Sequence, residues 1–268
     1  MARAQMKPLQ VGLLGIGTVG LGTWTVLRRN AEEIARRAGR PIRITWIAEK
    51  ALERAREATR GASDVNLTDD AAKVLTHPDI DIVVELIGGI EPARTLILQA
   101  IDNRKHVVTA NKALLARHGN EIFAAAHAKG VMVAFEGAVA GGIPIIKALR
   151  EGLTANRIEW IAGIINGTSN FILSEMRAKG ASFAAVLKEA QARGYAEADP
   201  TYDIEGIDAA HKLTIMSAIA FGVPMQFDKV YTEGITRLTG EDESAVEDIP
   251  VGGCPGSETL GFPVGRAV

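Results

Sequence analysis

Residues 9–20, with the sequence LQVGLLGIGTVG, decide the fold of this chain. An apolar, β-favouring stretch runs directly into glycines at positions 15, 17 and 20, and a long helical pattern then continues to Gly39. In such a strand-to-helix turn the first glycine permits the tight bend, the second lets a pyrophosphate approach the backbone, and the third lets the helix pack against the strand. The turn predicts a dinucleotide site, against the alternative that the glycines serve only the turn. Its predicted cofactor-binding residues are Gly15, Ile16, Gly17, Thr18, Val19 and Gly20.

Strands and helices alternate through the following hundred or so residues. Further strand patterns occur at Ile42–Ala48, Asp81–Ile87, His106–Thr109 and Val131–Phe135. Helical patterns separate them at Ala51–Thr59, Glu91–Asn103 and Ala113–Lys129. This alternation implies crossover connections, so we predict an α/β fold with a doubly wound parallel sheet, and we assign residues 1–137 to a nucleotide-binding domain.

The pattern changes after residue 137. We predict an incomplete, mixed α/β substrate domain over residues 138–239. Its expected elements are a helix at Pro144–Gly152, a strand at Ile158–Ile165, and helices at Thr168–Ala178, Ala184–Ala192 and Ile207–Phe221. Residues 240–268 hold six Gly and three Pro without apolar periodicity, so we predict an irregular, disordered tail.

Composition narrows the functional classes. The formal net charge of −2 gives no electrostatic basis for a nucleic-acid partner. Cys254 is the single cysteine, so the chain cannot form an internal disulfide or a cysteine zinc cage. The sequence holds no apolar run of membrane-spanning length and no targeting segment at its first residues, so we expect a cytoplasmic protein without a membrane partner.

Two charged positions at strand ends are candidates for cofactor contact. Glu49 and Lys50 follow the second strand, where a carboxylate would bind ribose hydroxyls and favour NAD, whereas the lysine would meet a 2′-phosphate. An ordinary solvated charge pair is the alternative, and the choice between NAD and NADP stays open. Lys112 follows the strand His106–Thr109 at a helix start, where the helix dipole disfavours a lysine that has no other role.

The segment from Gly194 to Lys212 is dense in carboxylates and leads into an apolar helix. Asp208 and Lys212 are four positions apart on that helix and therefore share one face. A lysine flanked by carboxylates suits a cationic substrate and proton transfer; a plain surface ion pair is the alternative. The segment Glu136–Ile143 combines a carboxylate with a flexible backbone, which suits either a monovalent cation or an interdomain hinge.

These motifs together resemble the bacterial homoserine dehydrogenases over roughly residues 8–239. The most specific part is Ala190-x3-Gly194 with Asp199-Pro200-x2-Asp203-Ile204-x-Gly206-x-Asp208-x3-Lys212. Family order is also kept by Gly15–Gly20, Thr109–Lys112, Val139–Pro144 and Asn166–Asn170. The resemblance implies a Rossmann-type nucleotide domain and the NAD(P)-dependent interconversion of L-homoserine and L-aspartate 4-semialdehyde in threonine, methionine and isoleucine biosynthesis.

The resemblance also implies roles for individual residues. Lys212 corresponds to the catalytic acid/base, Asp208 to the carboxylate that supports it, and Lys112 to the residue between cofactor and substrate. The substrate-binding residues would be Glu197, Asp203, Gly167 and Thr168, with Glu197 on the substrate amino group. A sodium site would be formed by Glu136, Val139, Gly141 and Ile143, mostly through backbone carbonyls. A homodimer is the implied assembly.

The family pattern stops shortly after Glu241-Asp242. We therefore hypothesise that the remaining residues reflect a truncation or a shifted reading frame. A catalytically inactive NAD(P)-binding fragment is the alternative function. An aspartate-semialdehyde dehydrogenase is disfavoured because that chemistry needs a nucleophilic cysteine and Cys254 lies in the irregular tail.

Overall fold

The computed structural model describes residues 6–238 and 266–267. The chain divides into two compact units between Ile146 and Lys147. The elements of the first unit are β1 (Leu9–Leu14), α1 (Thr18–Arg29), α2 (Ala31–Ala38), β2 (Ile42–Ala48), α3 (Leu52–Ala58), β3 (Asn66–Thr68), α4 (Ala71–Leu75), β4 (Ile82–Glu85), α5 (Ala93–Asp102), β5 (His106–Thr109), α6 (Lys112–Lys129), β6 (Val133–Ala134), a 3₁₀ turn at Glu136–Ala138 and the start of α7 (Ile145–Lys147).

The first unit is built on a six-stranded sheet of order β3-β2-β1-β4-β5-β6 in which every pairing is parallel. The central strands are apolar and closed to solvent, as shown by Leu13, Leu14 and Val83, which are all fully buried. This is the predicted doubly wound α/β fold, and its strand order reverses between β1 and β4. Ligands of such sheets bind at the carboxyl ends of the strands beside that reversal, which here carry Gly15 and Glu85.

The long first helix of the prediction is two helices. The backbone leaves helical geometry at Asn30, where φ is −107° and ψ is 21°, and α2 then runs to a left-handed Gly39. Asparagine favours helix boundaries because its side chain competes for nearby backbone groups. The short elements β3 and α4 were not predicted, because three and five residues are too few to show a periodicity.

The boundary between the compact units lies further along the chain than the predicted residue 137. The carboxylate of Glu136 accepts a hydrogen bond from the backbone N–H of Ile146 at 3.0 Å. Ala138 and Val139 between them are buried. This closed segment therefore belongs to the first unit.

The second unit is mainly helical in its described residues. Its elements are the end of α7, a π-helical turn at Ala148–Gly152, α8 (Gly167–Lys179), α9 (Phe183–Ala192), α10 (Thr201–Ile204), α11 (Ile207–Phe221), a 3₁₀ turn at Phe227–Lys229, and the two-residue strands β7 (Tyr231–Thr232) and β8 (Arg266–Ala267), which pair in parallel. Its core contains Ile172 and Met176 from α8, Val186 and Ala190 from α9, and Ile235.

The predicted strand at Ile158–Ile165 is wrong: these residues have no regular secondary structure. Trp160 and Ile164 are 63% and 79% exposed. An apolar sequence shows which side chains a strand could bury. A strand also needs a neighbouring strand that pairs with its backbone N–H and C=O groups. Within the described part of this unit, β7 and β8 pair only with each other.

The tail predicted over residues 240–268 lies outside the described residues, except for Arg266 and Ala267, which form β8 instead of irregular chain. No helix within residues 6–238 is long and apolar enough to cross a membrane.

Candidate functional site

The glycines in the turn after β1 differ in the space that a side chain would have. A Cβ on Gly15, whose φ is +88°, would lie 2.8 Å from the carbonyl oxygen of Leu86, and one on Gly20 would lie 2.2 Å from that of Gly15. A Cβ on Gly17 would meet nothing within 4 Å. Gly15 and Gly20 are thus required by the fold, whereas Gly17 leaves the backbone open to a ligand.

The start of α1 is suited to an anion. Gly17 is the N-cap residue and supplies no side-chain acceptor, and the first turn contains no acidic residue. The first N–H groups of a helix have no partner within the helix, and they lie at the positive end of its dipole. The turn therefore fits the pyrophosphate of a dinucleotide, as the sequence predicted.

Glu49 lies against the glycine turn. Its carboxylate accepts hydrogen bonds from the backbone N–H of Ile16 at 2.9 Å and of Ala51 at 3.1 Å. The half-buried Glu49 is thus fixed at the end of β2, although it is further from the glycines in sequence than is usual for this motif. The next residue, Lys50, is exposed and makes no hydrogen bond or ion pair with the described residues. Both readings of cofactor preference remain compatible with this arrangement.

A buried carboxylate at the end of β4 was missed by the sequence analysis. Glu85 is fully buried, and its oxygens accept hydrogen bonds from the N–H of Ile87 at 2.8 Å and from the hydroxyl of Thr109 at 2.7 Å. The hydroxyl oxygen of Thr109 in turn accepts from the N–H of Asn111 at 3.0 Å. Glu85 therefore fixes the loops after β4 and β5 together. A single charge within the apolar stretch from Ile82 to Ile87 was the available signal.

Lys112 is placed as predicted, at the carboxyl edge of the sheet. It is the half-buried first residue of α6, directly after Asn111, whose side-chain oxygen caps the helix by accepting from the N–H of Leu114 at 3.1 Å. The amide of Asn111 also donates to the carbonyl of Gly89. The side chain of Asn111 therefore connects the start of α6, where Lys112 lies, to the loop after β4.

The predicted sodium segment is a compact turn in the first unit. Val139 is fully buried, Gly141 and Ile143 are exposed, and the Glu136 carboxylate bonds the N–H of Ile146. Ala140 has a left-handed φ of +49°. Within the described residues, no group of three or more His, Cys, Asp or Glu side chains is placed to hold a metal ion. The sodium site stays a prediction that rests on carbonyl oxygens.

In the second unit, Lys212 and Asp208 form a buried ion pair on α11. The Nζ of Lys212 lies 2.6 Å from Oδ2 of Asp208, and it donates to the carbonyl of Ile165 at 2.6 Å. The two side chains are only 16% and 10% exposed. Burial excludes the simple surface ion pair that the sequence left open. An ammonium group in such surroundings is held by charge-assisted hydrogen bonds.

Asn166 joins a second carboxylate to this pair. Its amide nitrogen donates to Oδ1 of Asp203 at 2.7 Å and to Oδ2 of Asp208 at 3.0 Å. Its oxygen accepts from the N–H of Ser169 at 2.8 Å and thereby caps α8. Asn166 was noted within a motif but was not predicted as a site residue. We define Asn166, Asp203, Asp208 and Lys212 as the carboxylate–lysine cluster.

The remaining predicted substrate residues lie near the start of α8 or on the acidic loop between α9 and α10. Gly167 is the first residue of α8, and the hydroxyl of Thr168 donates to the carbonyl of Tyr195 at 2.8 Å. Glu197 is exposed, and its carboxylate makes no hydrogen bond or ion pair with the described residues. The structure thus brings Asp203, Asp208 and Lys212 together and leaves Glu197 outside their hydrogen bonds.

Two family models together match most of the chain. Residues 15–136 match "Homoserine dehydrogenase, NAD binding domain", and residues 144–251 match "Homoserine dehydrogenase". Among curated proteins, the homoserine dehydrogenase of Pseudomonas aeruginosa is 66% identical over 237 residues, which are 88% of this chain and 54% of that protein. That of Neisseria gonorrhoeae is 61% identical, over 91% of this chain and 55% of that protein. This chain therefore spans about half the length of these relatives.

Solved structures agree with the family models. A homoserine dehydrogenase from Thiobacillus denitrificans matches with 72% identity and a TM-score of 0.86, over 91% of this chain and 56% of that one. A putative homoserine dehydrogenase from Archaeoglobus fulgidus matches with 33% identity and a TM-score of 0.77, over 89% of this chain and 77% of that one. With its open glycine turn, its carboxylate–lysine cluster and these matches in both units, the chain belongs to the homoserine dehydrogenase family.

Proposed function

We propose that this chain catalyses the NAD(P)-dependent interconversion of L-homoserine and L-aspartate 4-semialdehyde, a step of threonine, methionine and isoleucine biosynthesis. The buried pair of Lys212 and Asp208 carries the proposal, because it supplies a group that exchanges protons next to a carboxylate that stabilises the ammonium form. The open glycine turn supports the cofactor half of the proposal.

The first unit would bind the dinucleotide. The nicotinamide, when bound, supplies the acceptor for the hydride that leaves the substrate carbinol carbon. The N–H groups at the start of α1 would bind the pyrophosphate above Gly17. Glu49 would accept from ribose hydroxyls, and Lys50 would meet the 2′-phosphate when the cofactor is NADP. Lys112 would interact with the nicotinamide side of the cofactor.

The second unit would bind the substrate and move the proton. In the oxidation direction Lys212, as the neutral amine, would take the proton of the substrate hydroxyl, and Asp208 would stabilise the resulting ammonium. Two of the three N–H groups of that ammonium are already engaged, by Asp208 and by Ile165, so its orientation is fixed. Glu197 would bind the substrate α-ammonium, with Asp203, Gly167 and Thr168 completing the substrate site.

The proposal extends to a sodium ion at Glu136 and the carbonyls of Val139, Gly141 and Ile143, and to a homodimeric, cytoplasmic enzyme. Replacement of sodium by tetramethylammonium in the assay should lower the rate if the ion is required. An unchanged rate would remove the ion from the proposal. Sedimentation equilibrium of the purified chain tests the dimer.

The test of the activity is nicotinamide reduction on addition of L-homoserine, with NAD and NADP offered separately. Lys212→Ala should lower kcat by about 10²- to 10⁴-fold, the range usual for a general acid/base. Lys188→Ala is a matched control, because Lys188 is exposed on α9 and makes no hydrogen bond or ion pair with the described residues. Equal rates in both variants would contradict the role of Lys212.

A second candidate function is nucleotide binding without turnover. It is favoured by the segment 158–165, which carries exposed apolar side chains and has no regular secondary structure in the described part of the chain. A dinucleotide at 100 times its Kd should stabilise the folded chain by about 2.7 kcal/mol. Such stabilisation with no homoserine-dependent reduction would identify this function.

A further inference from the structure

Asn166 uses both ends of its side-chain amide. It is 7% exposed and lies where the extended segment that precedes α8 enters the helix. The oxygen caps α8 through the N–H of Ser169, and the nitrogen donates to one oxygen each of Asp203 and Asp208. The partners of the nitrogen come from α10 and α11, so one amide connects three helices.

The amide nitrogen lies between two carboxylates that would otherwise repel each other. A neutral donor shared by two carboxylates offsets part of their mutual repulsion, because each hydrogen bond is made to a charged acceptor. The oxygen of Asp208 that Asn166 binds, Oδ2, is also the oxygen that binds Nζ of Lys212. The orientation of that carboxylate therefore depends on Asn166 and Lys212 together.

We propose that Asn166 is a positioning residue for the proposed dehydrogenase reaction. It holds the carboxylates of Asp203 and Asp208 on one amide nitrogen, and it aligns Asp208 on Lys212. It acts through these side chains, with no contact to substrate or cofactor of its own. The inference rests on the proposed function for its kinetic consequence, whereas its consequence for protonation holds for the folded chain whether or not it turns over.

The titratable side chains around Asn166 lie on three helices and on the segments that flank them. Within the cluster they are Asp203 from α10 and Asp208 and Lys212 from α11. The ring of His211, also on α11, stacks on Phe227 and lies 6.2 Å from the ring of Tyr202, which is on α10 and exposed. The charged residues of α8 are Glu175, Arg177 and Lys179, all in its second half. The segment before α8 carries Arg157 and Glu159, which are exposed, as are Glu197 and Asp199 before α10 and Glu205 after it.

Asn166→Asp separates positioning from capping. Aspartate caps a helix about as well as asparagine, so α8 keeps its acceptor. The variant loses both donor N–H groups and places a third carboxylate against the other two, which raises the pKa of the group until the folded chain holds an additional proton. Asn170→Asp is the matched control, because Asn170 lies in the same helix with its side chain exposed.

The first readout is the melting temperature between pH 8 and pH 5. Because the folded Asn166→Asp chain binds more protons than the unfolded one, its stability should rise on acidification relative to Asn170→Asp. A gain of roughly 5 °C is expected over this interval for a chain of this size. Asn166→Ser, which keeps a capping oxygen and adds no charge, should shift in the same direction by less, and it serves if Asn166→Asp does not fold.

The second readout is the pH profile of kcat for homoserine oxidation. Above the pH at which the added carboxyl group ionises, its negative charge beside Lys212 stabilises the ammonium group, so the ascending limb of the Asn166→Asp profile should move to higher pH. A structural role alone would lower kcat equally at every pH. Parallel melting profiles, or a uniform loss of melting temperature in Asn166→Asp, would overturn the inference. Absence of turnover in the unmodified chain would contradict the proposed function instead, and the melting profiles would still decide the role of Asn166.

Discussion

Gly17 and Gly20 are three residues apart and have opposite relations to the fold. A methyl group on Gly20 would lie 2.2 Å from a backbone carbonyl, so Gly20→Ala should destabilise the chain by about 2–4 kcal/mol. A methyl group on Gly17 enters open space, so Gly17→Ala should change stability by less than about 1 kcal/mol.

The effect of Gly17→Ala should appear in dinucleotide binding instead, with a loss of at least roughly tenfold, since the methyl group occupies the approach to the backbone. Urea unfolding and a dinucleotide titration measure the two quantities separately. Equal dinucleotide affinity in Gly17→Ala and in the unmodified chain would show that the turn is not the pyrophosphate site.

Lys105 is a buried lysine that directly precedes β5. Its ammonium donates to the carbonyls of His77 and Ile80, each at 2.7 Å, and burial lowers its pKa from the ordinary 10.5. The unfolded chain therefore binds this proton more tightly, so stability should rise with pH from below the folded pKa up to about 10.5.

Lys105→Met should abolish that rise in stability at alkaline pH. It should also cost about 2–4 kcal/mol near pH 7, because two carbonyls lose a charged donor. Lys73→Met on the exposed side of α4 is the control. Urea unfolding at pH 7 and pH 10 measures the stability of the unmodified chain, Lys105→Met and Lys73→Met. If Lys105→Met kept the full rise in stability with pH, the rise would come from other groups.

The sequence revealed site residues whose partners are near in the chain. Gly15, Gly17 and Gly20 form one turn, and Asp208 and Lys212 lie one helical turn apart, so their spacing alone predicted the contacts. Glu85 and Asn166 remained hidden because their partners are distant: Thr109 is 24 positions from Glu85, and Asp208 is 42 positions from Asn166. No local pattern encodes such a pairing.

At the scale of elements, Glu85 joins the ends of β4 and β5. Glu85→Gln removes the negative charge and replaces one acceptor oxygen by an NH2 donor. At least one of the hydrogen bonds from the N–H of Ile87 and the hydroxyl of Thr109 then loses its acceptor, so the variant should lose about 2 kcal/mol of stability. Glu57→Gln makes the same chemical change at an exposed carboxylate of α3 that has no hydrogen bond or ion pair with the described residues, and it should be neutral. Urea unfolding measures both, and a neutral Glu85→Gln would show that the two loops are held by other contacts.

The exposed segment 158–165 predicts self-association. No strand of the described residues pairs with this segment, and exposed apolar chain with free backbone groups is a template for aggregation. Trp160→Ser combined with Ile164→Ser should slow heat-induced aggregation by roughly tenfold, as followed by light scattering. Met132→Ser, at an equally exposed apolar residue of the first unit, should have little effect. Unchanged aggregation in the double variant would mean that this segment is not the nucleus.

The sequence predicted the long helices and strands, but it did not predict the short ones or show which apolar segment would find a pairing strand. The helix α11 runs over Ile207–Phe221 and the strand β1 over Leu9–Leu14, as predicted, because each carries its full apolar pattern within one stretch. The segment 158–165 has a strand pattern without a strand, because pairing depends on other residues. The break at Asn30 is set by one residue within an otherwise continuous helical pattern.

At the scale of the whole molecule, the chain combines a complete doubly wound sheet with a mainly helical second unit. The strand order of the first unit places Gly15, Glu49, Glu85 and Lys112 at one edge of the sheet. The carboxylate–lysine cluster lies entirely in the second unit. Each unit therefore contributes one half of the proposed chemistry, cofactor binding or substrate binding.

The most direct test of the proposed reaction is the transfer of deuterium from L-homoserine that carries two deuterium atoms on its hydroxyl-bearing carbon. Oxidation breaks one C–D bond, sends that deuterium with its electron pair to the nicotinamide ring, and releases the hydroxyl proton. We expect reduced nicotinamide that is heavier by one mass unit and an aldehyde that keeps one deuterium, and we expect Lys212→Ala to slow the formation of both. Dinucleotide bound by the chain but recovered without deuterium would contradict it.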